Sequence, residues 1–227
     1  MMKKLIACGM TVILTISMTG CSLGGNKYKK ASEKMIAAAE NCCDAEEMSK
    51  SQKKKLIKNG LMTNITKAGE SVYVTLGQDD FDKMDDDEDG AFSIENFKNV
   101  TIFMRNDEKL QGAITGMVFE MVDKDVAEEL FDYYVDSMRL KERKKEWKHA
   151  SEGEFAIDDE SDDTVAFIAS VDNYCMAGYV HIDGKVVTAC SFSGDPENDV
   201  LEEYYDFMRE AELRDMEALL EGEEEDD

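Results

Sequence analysis

Short apolar stretches bounded by turn-forming residues recur along the chain. Stretches of this kind, rich in β-branched and aromatic residues, predict strands of an antiparallel sheet. They fall into two sets of three, at 71–76, 100–105 and 113–122 and at 164–171, 174–182 and 185–192. Asp183-Gly184 separates the last two stretches and is typical of a two-residue hairpin loop, which would pair Ile182 with Lys185.

Each set of strands is followed by a segment with apolar residues at helical spacing, 125–149 after the first set and 195–220 after the second. Asp195-Pro196 is a good start for the second helix, with an N-cap residue before proline. Segments 125–132 and 199–206 are identical at five of eight positions. We therefore predict an α+β fold built from two tandem β-β-β-α units, with helices packed on one face of antiparallel sheet. Part of the match is generic, because acidic amphipathic helices share such a pattern.

The rest of the chain divides around these units. Residues 28–60 predict N-terminal helices, with Asp44 and Glu47 placed as a capping box for the second of them. The first unit, 61–150, carries an acidic insertion at 78–96, and the second unit spans 164–220. Segment 151–163, rich in Glu, Asp and Ser, is expected to be an acidic connector. The acidic tail 221–227 is expected to be disordered.

The first 20 residues have the organisation of an export signal. Lys3 and Lys4 precede an apolar run over 5–18, and small residues then lead to Cys21. The apolar run is too short for a membrane span, and closure by small residues is typical of a cleaved signal peptide.

The sequence Met18-Thr19-Gly20-Cys21 resembles the lipobox of bacterial lipoproteins, and the resemblance covers residues 1–25 only. Met18 stands where leucine is commonest in that family. The resemblance implies cleavage after Gly20, a lipid on Cys21 and a short tether over 21–27. Two or more acyl chains hold a protein stably on a bilayer. The alternative is an ordinary secretory peptide, which would leave Cys21 as a free thiol.

Charge is distributed unevenly. The chain carries a formal charge of −25, made up of +6 over residues 1–58 and −31 over residues 59–227. Nucleic acid would repel the acidic body, so nucleic-acid binding is excluded. The lysines of 50–58 lie close to the anchor in sequence and either contact an anionic membrane surface or form a solvated helix face.

The cysteines after the signal are Cys42, Cys43, Cys175 and Cys190. We expect free thiols, with a Cys175–Cys190 disulfide as the alternative. The hairpin register makes the latter two diagonal neighbours on one sheet face, too far apart for a bond in regular geometry. With only two histidines in the chain, a zinc site is not expected. Cys175 and His181 are expected on opposite faces of their strand, which argues against a nucleophile–base pair.

One segment suggests metal binding. Residues 85–96 resemble an EF-hand calcium loop, with Asp85, Asp87, Asp89, Ala91 and Ser93 at positions one, three, five, seven and nine. Gly90 occupies the sharp turn at position six. The twelfth position requires a bidentate glutamate and holds Asn96 instead, so any calcium affinity should be low. The alternative is a solvated acidic insertion between strands.

These patterns define a location better than an activity. We expect an envelope lipoprotein on the extracytoplasmic face that acts by binding or structural association, with an unknown protein or small molecule as partner. No catalytic residue is assigned, and no cofactor is expected beyond the calcium hypothesis. Two alternatives are an exported enzyme without a recognisable motif and a small solute-capturing lipoprotein. A ligand-sized cavity lined by aromatic residues would favour solute capture, and a cleft that combines carboxylate, Cys and His would favour an enzyme.

Overall fold

The computed structural model describes residues 23–61, 65–84, 93–109, 111–140, 143, 153–171 and 173–221. The helices are α1 Leu23–Cys43, α2 Lys50–Asn59, α3 Gln78–Phe81, α4 Lys124–Met138, α5 Asp199–Glu210 and α6 Met216–Glu221, with a 3₁₀ turn at Ile94–Asn96. The strands are β1 Glu46–Glu47, β2 Ser71–Gly77, β3 Phe97–Asn106, β4 Gly112–Met121, β5 Gly153–Ser161, β6 Thr164–Val171, β7 Tyr174–Asp183 and β8 Val186–Gly194. The fold is α+β, as the sequence predicted.

All eight strands form one sheet in the order β1-β2-β3-β4-β8-β7-β6-β5. Every pairing is antiparallel except that of β1 with β2. The last strand of each predicted unit, β4 in the first and β8 in the second, lies at the centre and pairs with the other. The two units therefore share one continuous sheet.

Helices cover both faces of this sheet. On the face called here the α1 face, α1, α5 and α6 pack on residues such as Ile114, Val118 and Phe192. On the opposite face, called the α4 face, α2, α3 and α4 pack on residues such as Ile102 and Phe119. The expectation that the helices share one face is therefore wrong. Because β4 and the first half of β8 are buried on both faces, their hydrophobic pattern is nearly continuous there, whereas it alternates in the second half of β8.

The β7–β8 hairpin is displaced from its predicted register. Asp183 pairs with Val186, so Gly184 and Lys185 form the loop. Gly184 has φ +68° and Lys185 has a negative φ. A hairpin loop with positive φ at its first position only is of type II′, which requires glycine first. The prediction had placed Gly184 second in the loop.

The structure corrects three further boundaries. The segment expected as an acidic connector forms β5, so the second half has four strands. The capping box of α2 is Ser49 with Gln52, and Asp44 ends α1 with φ 49°. Asn198 caps α5 instead of Asp195, because its side chain accepts a 3.0 Å hydrogen bond from the Val200 amide.

Helix α4 also ends earlier than predicted. It stops at Met138, where Arg139 adopts a left-handed conformation with φ 49°. The expected helix extended to 149, and residues 144–149 lie outside the described part of the chain.

The two edges of the sheet differ. At one edge, Met48 donates its amide to the Tyr73 carbonyl at 2.8 Å, and Lys53 Nζ donates to the Thr75 carbonyl at 3.4 Å. These two hydrogen bonds use backbone carbonyls of β2 that face away from β3. Residues that follow the short β1 therefore cover more of this edge than β1 alone does. At the other edge, β5 bears Glu154, Asp158 and Asp159.

Candidate ligand groove between α4 and the sheet

A groove of about 400 Å³ lies on the α4 face, between α4 and the sheet. Its apolar lining includes Met104, Met117, Met176, Phe167 and Tyr134. Methionine side chains are flexible and polarisable, so a surface rich in them adapts to apolar ligands of different shape.

Small residues on the central strands explain why the groove is open. Thr115 of β4 pairs laterally with Ser191 of β8, and Ser191 pairs with Gly178 of β7. The side chains of Thr115 and Ser191 lie on the α4 face and are too short to reach the helix, and Gly178 has no side chain. Met104 and Phe167 flank this row on the next strands, where they pair with Thr115 and Gly178. The floor is therefore low and partly polar, and its two sides are apolar.

Gly178 is required by the position of the Phe167 ring. A Cβ atom built on Gly178 would lie 2.5 Å from Cε1 of Phe167, which is closer than carbon atoms approach. The ring leans over the glycine and forms one side of the groove. A larger residue at position 178 would displace the ring.

Arg143 supplies a positive charge at this side. Its guanidinium carbon lies 5.4 Å from the centroid of the Phe167 ring, within cation–π range. Nε donates to the Met138 carbonyl at 2.6 Å, and Nη1 contacts Sδ of Met176. Within the described ranges, no carboxylate forms an ion pair with Arg143.

Tyr134 and Cys190 beside the groove stay neutral at neutral pH. Burial raises the pKa of Tyr134, whose hydroxyl donates to Sδ of Met117 at 3.6 Å. Burial also raises the pKa of the Cys190 thiol, whose side chain lies on the α1 face beneath the floor. Neither group is an anionic nucleophile at neutral pH. The groove is therefore suited to binding an apolar molecule.

A second groove of about 380 Å³ lies between α1 and the β7–β8 hairpin. Lys27, Lys30 and Lys34 line it from one face of α1. Lys27 forms an ion pair with Asp183, and Lys34 forms one with Glu212. Two of the three positive charges are therefore offset by carboxylates of the protein itself.

Most of the site residues proposed from the sequence lie outside the described residues. These are Cys21 and the loop residues Asp85, Asp87, Asp89 and Ala91. Ser93 is described, and it precedes the 3₁₀ turn in a half-buried position. Among the described residues, no three His, Cys, Asp or Glu side chains come together as a metal site. Lipidation and calcium binding remain predictions.

The four cysteines among the described residues are free thiols, as expected, although the register behind that expectation was wrong. Cys175 pairs with Gly194 and Cys190 pairs with Tyr179, so the two thiols are not diagonal neighbours. Cys175 and His181 lie on the same face instead of opposite faces, because six positions along a strand restore the face. About 20 Å separates them at 3.3 Å per residue, and they form no catalytic pair.

No family model matches the chain, and no curated protein matches it. Among solved structures it is similar to the crystal structure of the extracellular domain of PknH from Mycobacterium tuberculosis. That similarity has a TM-score of 0.35 and 10% sequence identity, over 80% of this chain and 96% of the other. A TM-score this low supports no argument about function. None of the described helices is both long and apolar enough to span a membrane.

Proposed function

We propose that this protein is an envelope lipoprotein, lipid-anchored at Cys21, that captures a small, largely apolar ligand in the groove between α4 and the sheet. The observation that carries the binding role is the groove itself. Its volume of about 400 Å³ falls in the range of ligand sites in proteins, roughly 300–1,000 Å³. A binding role is preferred to an enzymatic one because the thiol and phenol nearest the groove are neutral.

The lining supports this proposal in a second way. Ligand sites are usually apolar, with a few polar groups that fix the orientation of the ligand. Met104, Met117 and Phe167 provide the apolar surface, and the hydroxyls of Thr115 and Ser191 provide polar groups on the floor. Ser191 is exposed, so a ligand can reach it from solvent.

Filling the groove tests the binding role. The purified full chain should bind phenylnaphthylamine, a neutral apolar fluorophore, with an increase in fluorescence. Ser191→Trp should abolish this increase, because an indole at that position occupies the space above the floor. Ser161→Trp is the matched control, since Ser161 is an exposed serine at the end of β5, outside the groove. Equal binding by both variants, or none by the unmodified protein, would reject the groove as a binding site.

The anchor rests on the lipobox resemblance of residues 1–25. The protein should fractionate with membranes and carry lipid on Cys21, and Cys21→Ala should release or mislocalise it. Mass spectrometry of the protein from native membranes provides the direct measurement. An intact thiol on Cys21 there would rule out the anchor and leave the groove unaffected.

A further inference from the structure

We propose that the ligand of this groove is an amphipathic carboxylate, an acyl chain or similar apolar body with one carboxylate that Arg143 binds. This inference rests on the proposed function, because it assigns the ligand's chemistry in the same groove. The inference identifies the polar end of the ligand. The proposed function already assigns the apolar end to the apolar lining of the groove.

The hydrogen-bond capacity of Arg143 is the first argument. A guanidinium has five N–H donors in a planar fork and no acceptor. One donor is used by the Met138 carbonyl, and Nη1 contacts only the weakly accepting sulfur of Met176. The described residues supply Arg143 with no ion-paired carboxylate. Donors therefore remain for a ligand, and a carboxylate matches the fork with two parallel bonds.

The placement of Arg143 is the second argument. The guanidinium is held against Phe167 and Met176, so it faces an apolar wall. In such surroundings a charge-assisted hydrogen bond is stronger than in open water. Ser193 pairs laterally with Met176, which places an exposed hydroxyl beside the same point. The described residues at the polar end of the groove thus include the Arg143 cation and the adjacent Ser193 hydroxyl.

The direction of the floor is the third argument. From Phe167 on β6, the row crosses β7, β8 and β4 to Met104 on β3. Four strand spacings of about 4.8 Å make this path about 19 Å long. With its carboxylate at Arg143, a ligand would extend its apolar body across the hydroxyl floor towards Met104 and Met117. Among the described residues, one cation lies at one end of the groove and apolar surface at the other, which fits a molecule with one charged end.

Arg143 has a simpler role that the test must separate from binding. Its bond to the Met138 carbonyl caps the C-terminus of α4, and capping alone would make it a structural residue. A structural role affects the stability of the protein and the binding of every ligand alike. A role in carboxylate binding affects charged and neutral ligands differently.

The experiment compares three probes with the same alkyl chain: decanoate, decanol and decyltrimethylammonium. Each is titrated calorimetrically into the full chain near neutral pH. Decanoate should bind about tenfold more tightly than decanol, and the cation least tightly. Arg143→Gln should weaken decanoate binding about tenfold and leave decanol binding unchanged. Arg143→Lys should retain part of the preference, because an ammonium keeps the charge and loses the planar fork.

Arg139→Gln is the matched control. It removes the same charge close to the same helix end, but Arg139 is exposed and does not line the groove. It should leave the decanoate preference intact.

The outcomes separate the two proposals. Equal binding of decanoate and decanol, or a preference unchanged by Arg143→Gln, would overturn the assignment of a carboxylate ligand and leave the groove as a binding site. Failure of decanol, decanoate and phenylnaphthylamine alike would overturn the proposed function. Loss of decanol binding together with decanoate binding in Arg143→Gln would assign Arg143 a structural role and reject it as the carboxylate's partner.

Discussion

Gly116 and Cys190 lie directly opposite each other on the two central strands, and each is the fifth residue of its strand. The same spacing of 74 residues relates the similar helical segments 125–132 and 199–206. A local twofold axis perpendicular to the sheet therefore passes close to this pair and relates β2-β3-β4 to β6-β7-β8. Such an axis would place both following helices on the same face. Helix α4 lies on one face and α5 on the other, so the symmetry is confined to the strands.

The glycines of these central strands differ in what an added methyl group would meet. At Gly194, a Cβ would lie 2.7 Å from the Gly112 Cα and 2.8 Å from the Gln111 carbonyl oxygen, both backbone atoms. At Gly116 it would lie 3.2 Å from Cε and Sδ of Met35 and 3.2 Å from Cζ of Phe207, all of them side-chain atoms. Gly194→Ala should therefore lower the free energy of unfolding by about 1–3 kcal/mol, and Gly116→Ala by less. Urea denaturation monitored by circular dichroism provides the measurement, and the reverse order would contradict the close approach of β4 and β8.

The thiols should differ in reactivity in the folded protein. Cys42 is half-buried, whereas Cys43, Cys175 and Cys190 are buried. Burial raises the pKa of each of the four thiols, and it leaves Cys42 the most accessible. An alkylating reagent at neutral pH should modify Cys42 first, and the other three only after denaturation. Peptide mapping after a short exposure identifies the site. Early modification of Cys190 would show that the floor of the groove opens.

Alkaline pH should destabilise the fold through Cys175. Burial raises the pKa of this thiol from 9.0 to about 12. A raised pKa means that the folded state favours the protonated thiol, so the stabilisation is complete below pH 9.0 and is lost as the pH rises towards about 12. The free energy of unfolding should fall more steeply over this interval in the unmodified protein than in Cys175→Ala. Parallel curves for the two proteins would contradict the raised pKa.

Calcium binding is a prediction from the sequence of 85–96. Calorimetry on the full chain should detect a site with millimolar affinity, the low end for extracellular calcium modules. Asp85→Ala should abolish it, because the first loop position is a ligand in every loop of this type. Lys83→Ala, just before the loop, is a suitable control. Absence of heat at millimolar calcium would assign the loop to solvated acidic insertions.

Six of the eight strands, all except β1 and β5, were predictable because each is a local pattern that ends at a turn. The register of the strand pairs and the edge strands of the sheet were harder to predict from the sequence. Gly184 predicts where the β7–β8 loop lies. The residues that pair across the hairpin, however, depend on whether this glycine is the first or the second residue of the loop. Segment 153–161 resembled a connector because its acidic residues dominate its composition. It forms β5 because Phe155, Ala156 and Ile157 pair with β6 and bury apolar area, Ala156 completely.

The groove was not predictable from the sequence for a different reason. Thr115, Gly178 and Ser191 are unremarkable in their own strands and become a floor only when two lateral pairings align them. Arg143 belongs to a basic stretch that resembles a solvated helix end. The similarity of 125–132 and 199–206 was informative about helix formation, yet it says nothing about the face on which a helix packs. Each of these features depends on contacts between segments that are far apart in the sequence.

The two sheet edges have a consequence for a protein held on a membrane by the proposed anchor. Unprotected edges allow strands of neighbouring copies to join, and such pairing leads to aggregation. Met48 and Lys53 already occupy carbonyls along one edge. Two copies approaching through β5 would bring their acidic side chains together and repel each other. Neither edge of the described sheet therefore favours strand pairing between copies, so molecules crowded on a membrane by the proposed anchor would stay separate, each with its groove accessible.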